Sequence, residues 1–211
     1  MNTIITISRQ YGSGGRTIGE KLAESLGIPF YDKELLARAA KDSGFAQEIF
    51  ESQDEKPTKS FLYSLVMDTH SFGYSSSSFS EMPITHKVFL AQFDTIKRIA
   101  DEGPCVIVGR CSDYALADYE NAIHLYMHAP MEAKIKRIKR LYEYTESKAK
   151  DVINKTDKKR ASYYNYYSNK KWGEASGYNL SIDSNVLGIE GTVEMIKSYI
   201  ELKEKNDYKG I

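Results

Sequence analysis

The feature that most constrains this chain lies near its start. The β-branched run Ile4-Ile5-Thr6-Ile7 leads directly into Tyr11-Gly12-Ser13-Gly14-Gly15-Arg16-Thr17. An apolar strand, a glycine-rich turn and a following helix build a phosphate cradle. Backbone N–H groups line the turn, and the helix N-terminus adds positive potential. Laid on the phosphate-binding pattern G-x-x-x-x-G-K-[ST], the second glycine is Gly15 and the hydroxyl is Thr17. The first glycine is replaced by Gln10 and the lysine by Arg16. A cation in the first turn of a helix opposes the macrodipole, so a bound anion would compensate Arg16. Gly12, Ser13, Gly14, Gly15, Arg16 and Thr17 are therefore the expected donor-phosphate contacts, with the Thr17 hydroxyl as a Mg²⁺ ligand. The alternative is a tight strand-to-helix turn with solvated side chains.

The rest of the chain reads as alternating strands and helices. Strands are expected over 3–8, 28–31, 105–108, 122–127 and 178–183, and helices over 16–26, 33–40, 87–100, 131–144 and 189–203. That alternation predicts an α/β fold with a mostly parallel sheet. Ligands in such sheets bind beyond the carboxyl ends of the strands. The rule selects the glycine turn, Asp32, the segment 109–113 and the segment 128–130. Arg110 ends an apolar run, where an unpaired buried guanidinium would be costly, so a phosphate or an ion pair is expected there. Asp32 is expected to face the acceptor or metal, or to cap the helix after it. Asp113 is expected to orient the acceptor or to cap its own helix.

Two regions are less regular. Residues 41–86 include a serine tract at Ser75–Ser78 and are expected to form a helical and loop insertion that binds the acceptor. Residues 131–176 begin with a basic helix and continue as a polar stretch. Within 131–171, thirteen Lys and Arg face five acids, although the whole chain is formally neutral. The asymmetry points to an anionic ligand near this segment. Its tyrosines, Tyr163, Tyr164, Tyr166 and Tyr167, are expected to form a partly buried aromatic face or to stack on a base. Zero net charge argues against nucleic acid as the partner.

Cys105 and Cys111 form neither a disulfide framework nor a C-x-x-C metal motif, so reduced thiols in a cytoplasmic protein are expected. No apolar run reaches the roughly 20 residues of a membrane span, so no membrane partner is expected. At 211 residues, a single domain over 1–211 is expected.

Three stretches carry a resemblance to a known family. Ile5 through Arg16, Leu26-Gly27-Ile28-Pro29-Phe30-Tyr31-Asp32 and Val108-Gly109-Arg110-Cys111 resemble the cytidylate-kinase-like family. The resemblance extends through Asp157-Lys158-Lys159-Arg160, Tyr163-Tyr164, Trp172-Gly173 and Leu187-Gly188. That family is similar to the nucleoside monophosphate kinases. The resemblance implies a P-loop fold of three α/β/α layers, with 41–86 as the acceptor insertion and 131–176 as a basic lid. It implies ATP and Mg²⁺ as cofactors and transfer of a phosphoryl group to a nucleotide such as CMP or dCMP. Asp32, Arg110 and Asp113 would place the acceptor. Arg16, Arg137 and Arg160 would stabilise charge spread over the transferring phosphoryl oxygens. True cytidylate kinases have a lysine at Arg16 and an acid at Cys111. These departures keep a second reading open, a nucleotide-binding or regulatory protein without turnover.

Overall fold

The computed structural model describes residues 2–44, 46–55 and 82–205. The expected loop at Ser75–Ser78 lies outside them. Five strands form one sheet: β1 (Ile4–Arg9), β2 (Phe30–Tyr31), β3 (Val106–Val108), β4 (Ala122–His128) and β5 (Leu180–Asp183). Their order is β2-β3-β1-β4-β5, and every pairing is parallel. β1 is central, and all six of its residues are buried.

Helices cover both faces, which is why β1 reads as continuously apolar rather than alternating. They are α1 (Gly15–Leu26), α2 (Glu34–Ser43), α3 (Gln47–Gln53), α4 (Ile84–Glu102), α5 (Ser112–Ala115), α6 (Met131–Tyr142), α7 (Glu146–Ser168) and α8 (Ser184–Lys205). The pleat divides each central strand between two cores. Ile5, Ile7, Val106 and Val108 pack against Ile18 and Leu22 of α1 and Val193, Ile196 and Ile200 of α8. Ile4 and Ile107 pack on the opposite side against Leu35 of α2 and Ile96 and Ile99 of α4. The result is the three-layer α/β/α architecture.

Helix α1 ends where the sequence places its stop. Gly27 adopts left-handed geometry, and its N–H and that of Ile28 return to the last carbonyls of the helix. β2 is shorter than expected, because Pro29 sits just before it and only Phe30 and Tyr31 join the sheet.

The segment expected to be a polar stretch is instead α7, a helix of 23 residues. Two local causes explain it. The Thr145 hydroxyl caps its start, accepting from the Lys148 N–H at 3.3 Å. Its apolar contacts then switch partners along its length. Ala149 and Ile153 meet Ile138 of α6, while Tyr163, Tyr164 and Tyr167 enter an aromatic core with Phe89 of α4. Tyr167 stacks on Phe89 with ring centroids 3.9 Å apart. No single apolar stripe runs the whole helix, which hides its period in the sequence. The tyrosines form the buried aromatic face rather than an open stacking surface.

The carboxyl ends of β1, β2, β3 and β4 meet at one edge of the sheet. The glycine turn, Asp32, Gly109-Arg110 and His128 all lie there, overhung by α6 and α7.

Candidate functional site

The glycine turn follows β1 and begins with Gln10, whose N–H bonds to the Met127 carbonyl of β4 at 2.9 Å. Gly12 and Gly14 adopt φ of 81° and 84°, values that L side chains resist. A Cβ on Gly14 would also lie 2.0 Å from the Arg137 guanidinium. Gly14 is the N-cap of α1, and no side chain caps it. The first turn of α1 also carries no acid. Within the turn the Ser13 N–H bonds to the Gln10 carbonyl at 3.3 Å and the Gly15 N–H to the Ser13 hydroxyl at 3.4 Å; a glycine-lined helix start of this kind is where anions commonly bind. Thr17 is exposed at this first turn.

Helix α6 lies against this turn. Arg137 donates to the Gly12 carbonyl at 3.3 Å. The Lys134 ammonium is buried and bonds to the Gln10 side-chain carbonyl and to Asp157 of α7, each at 3.1 Å. Asp157 in turn accepts from the Tyr11 N–H at 2.6 Å. One lysine and one aspartate therefore pin both basic helices to the glycine turn. Beside them opens a cleft of about 280 Å³ lined by Gly12, Ala129, Ala133, Lys136, Arg137 and Arg140. Among the described residues no carboxylate pairs with Lys136, Arg137 or Arg140. Burial and the neighbouring Arg140 lower the Arg137 pKa, the mark of a cation lacking an anion.

A second cationic group sits across β1. The β3 strand runs into Gly109, Arg110 and Cys111, three successive residues at φ of 80°, 55° and 55°. Two non-glycine residues in left-handed geometry cost about 1–2 kcal/mol each. The turn directs Arg110 beneath the sheet edge, with its side chain only 3% exposed. Arg110 donates to Asp32 Oδ1 at 3.2 Å and to the Asp32 carbonyl at 2.8 Å. It also grips Asp54, just past α3, with two bonds of 3.1 Å. Gly109 makes room for a second guanidinium, since its Cβ would stand 2.1 Å from Arg9. Arg9 pairs with Glu55 at 3.1 Å and lies 3.8 Å from Asp32. Arg160 of α7 completes the group, pairing with the other Glu55 oxygen at 3.3 Å and donating to the Arg9 carbonyl at 3.2 Å.

These charges shift one another. Burial alone would raise the Glu55 carboxyl, but Arg9, Arg160 and Arg110 outweigh it and hold Glu55 at about 2. Burial opposes ionisation of Asp32 too, and Arg110 and Arg9 win there as well, leaving its pKa lowered. Burial and Arg160 bring Arg9 down to about 10, which still leaves it charged at neutral pH.

A family model, the cytidylate kinase-like family, matches residues 4–186. The chain belongs to that family. An uncharacterized protein from Eubacterium ventriosum ATCC 27560 has a crystal structure similar to it, at 28% identity and a TM-score of 0.71, covering 95% of this chain and 99% of that chain. Shikimate kinase from Bacteroides thetaiotaomicron is similar at 13% identity and a TM-score of 0.55, again covering 95% and 99%. At that identity the likeness establishes the fold, that of the P-loop kinases. No curated protein matches.

As a member of the cytidylate kinase-like family, the chain has its expected site residues gathered at one sheet edge, in altered roles. Arg16 does not reach over the glycine turn. Its side chain is half exposed and donates to Asp32 Oδ2 at 2.9 Å and to Glu20 at 3.1 Å. Asp32 does not cap α2, whose N-cap is Lys33 without a side-chain bond; its carboxylate is taken by Arg16, Arg110 and Arg9. Asp113 is buried and turns toward α7, accepting from the Tyr164 hydroxyl at 2.6 Å. Burial raises its pKa. Arg137 stands on the glycine-turn side and Arg160 on the Asp32 side. Both thiols are buried, and burial pushes Cys105 up to about 12 and Cys111 well above its ordinary value, so neither is a thiolate at neutral pH.

Sequence reasoning missed Lys134, Asp54 and Glu55. The signal for Lys134 was present: it stands three residues before Arg137, on the same helix face. Asp54 and Glu55 gave none, because an acidic pair in an irregular polar segment looks like any solvated turn.

Proposed function

We propose that this protein is an ATP-dependent phosphotransferase of the nucleoside monophosphate kinase type, with CMP or dCMP as the acceptor. One observation carries the reading. Two separate groups of cations converge from opposite sides of β1 on the end of that strand, one on a glycine turn and one on Asp32. A two-substrate phosphoryl transfer needs two such places side by side.

In this reading the backbone N–H groups of Gly12–Thr17 hold the donor phosphates, and the cleft along Lys136, Arg137 and Arg140 takes the rest of the nucleotide. The Thr17 hydroxyl would hold Mg²⁺, which would supply positive charge to offset that of the phosphates. Arg110, with Asp32 as its positioning partner, receives the acceptor phosphate. Asp113 acts through Tyr164 on α7. Arg137 and Arg160 approach from the two sides and stabilise charge on the transferring group. Arg16 must leave Asp32 to reach the donor phosphates. Residues 41–86 and 131–176 serve as acceptor segment and lid of a single domain over 1–211, in the cytoplasm.

The test is a coupled assay with ATP, Mg²⁺ and a panel of monophosphates. Turnover with CMP or dCMP above the other acceptors is expected. ATP binding without turnover on any acceptor would defeat the kinase reading. It would favour a nucleotide-binding protein that has lost chemistry. The observation behind that second reading is Arg16, which stands at the lysine position and is held by Asp32 and Glu20.

A further inference from the structure

We propose that Asp54 and Glu55 are an internal substitute for the acceptor's phosphate, closing a three-arginine seat that one phosphate dianion opens by displacing them. This rests on the phosphotransferase reading and adds to it a regulation of the acceptor site.

The argument begins with charge. Arg9, Arg110 and Arg160 carry three positive charges, and Asp32 returns one negative charge; Arg16, which also reaches Asp32, has Glu20 as its own counter-charge. The remainder is two, which the carboxylates of Asp54 and Glu55 balance. A phosphate monoester dianion carries the same charge on a single group.

Geometry supports the exchange. The Glu55 carboxylate bridges two guanidiniums from different elements, Arg9 of β1 at 3.1 Å and Arg160 of α7 at 3.3 Å. Asp54 occupies the Arg110 fork with two parallel bonds, the way that guanidinium also grips phosphate. Lys159 donates to the Asp54 carbonyl at 2.8 Å. Thus two consecutive residues occupy all three arginines that an incoming phosphate would use.

Both cannot fit at once. The space left beside Glu55, among Arg110, Arg160 and Trp172, is about 10 Å³, room for one water at most. A phosphate must therefore remove the carboxylates rather than join them. The segment that holds them is short, with one buried side chain seating it among Leu36, Ala39, Ala40 and Val88. Helix α3 spans seven residues and buries only Phe50. Glu55 lies beyond its end at φ 50°, the left-handed region that an L side chain resists. Asp32 differs in following β2 directly and in meeting three guanidiniums, those of Arg9, Arg16 and Arg110. It remains as the permanent counter-charge.

The test uses the full chain with inorganic phosphate as the probe. In Glu55→Gln and in Asp54→Asn, phosphate affinity measured by calorimetry should rise about tenfold. That is the factor by which a seat open roughly a tenth of the time weakens apparent binding. Adding Arg160→Gln to Glu55→Gln should cancel the gain, whereas phosphate held at the glycine turn would keep it. In the unaltered chain, amide hydrogen exchange over 47–55 should speed up when phosphate is added. Unchanged or weaker phosphate affinity in both variants, or a gain that survives Arg160→Gln, overturns the proposal. So does exchange over 47–55 that slows or stays constant on adding phosphate. The exchange measurement needs no variant to fold. Kinase turnover alongside these negative results would sink only the substitute. Phosphate displacement without turnover on any acceptor would sink only the kinase reading.

Discussion

The two cationic groups flanking β1 each hold three cations and end in opposite states. On the α6 side, Lys136, Arg137 and Arg140 border a cleft of about 280 Å³ with no carboxylate partner among the described residues. On the other side, Arg9, Arg110 and Arg160 are matched by Asp32, Asp54 and Glu55 and leave about 10 Å³. The difference follows from burial. Arg110 is 3% exposed, and a guanidinium so far from water needs an anion at all times. Arg140 lies in solvent and needs none. In the proposed function the open group receives a ligand. The closed group contributes to the fold until a ligand takes over its charges.

The largest expected effect breaks the closed group. Arg110→Ala removes the cation and strands Asp32 and Asp54 in a buried position. Losing one partner of a buried pair costs about 3–5 kcal/mol. For a chain of this length that lowers the melting temperature by roughly 6–20 °C. Thermal denaturation followed by circular dichroism measures it. A shift of under about 2 °C would mean that the ion-pair group contributes nothing to the fold, and the contrast between the two sides would disappear.

Acid should unpick the same group next. Glu55 is held at about 2 against an ordinary 4.5. Its folded pKa is depressed, so its stabilisation is fully present above the unfolded value and fades as pH falls from about 4.5 to about 2. The contribution is on the order of 3 kcal/mol at most. Urea midpoints measured across that window should fall for the unaltered chain and change less for Glu55→Gln. Parallel curves for the two proteins would remove Glu55 from the account.

Arg137→Ala tests the open side. With no carboxylate partner among the described residues, its loss should change stability by no more than about 0.5 kcal/mol. Binding should respond instead. One charge-assisted contact contributes about 1.5–3 kcal/mol, roughly ten- to hundredfold in ATP affinity. Calorimetry with ATP reads it directly. A protein that melts early yet binds ATP normally would reverse the assignment of the two sides.

How legible each side was from the sequence follows from the same difference. The glycine-turn side is local in the chain: Gly12 through Thr17 announce a strand, a tight turn and a helix by composition and spacing alone, and the structure has them in that order. The parallel sheet was equally readable, because β3 is a short unbroken apolar run and β1 is rich in isoleucine. The closed side joins residues far apart, with Arg9, Asp32, Glu55, Arg110 and Arg160 drawn from five elements or turns. Arg110 betrayed itself as a charge ending a buried strand. Its partner Asp54 did not, because nothing near it repeats or alternates. Helix α7 was missed for a related reason. Its apolar residues serve Ile138 at one end and Phe89 at the other, so their period breaks midway.

Arg16 stands between the two sides and supplies the smallest and most discriminating prediction. Its backbone belongs to the first turn of α1, but its side chain bonds to Asp32 at 2.9 Å and is half exposed. An ion pair that open contributes about 0.5 kcal/mol or less after solvent screening, and Asp32 keeps Arg110 and Arg9 without it. Arg16→Ala should therefore leave the melting temperature within about 2 °C. If Arg16 transfers to the donor phosphates on binding, the same variant should weaken ATP by roughly tenfold. Arg16→Lys should then recover most of that affinity, since an ammonium serves a phosphate in such turns as a point charge. Equal ATP affinity and equal rate in the unaltered chain and in Arg16→Ala would place Arg16 with the closed group alone. The loop would then hold phosphate by its backbone, Thr17 and Arg137, with no cation at the lysine position taking part.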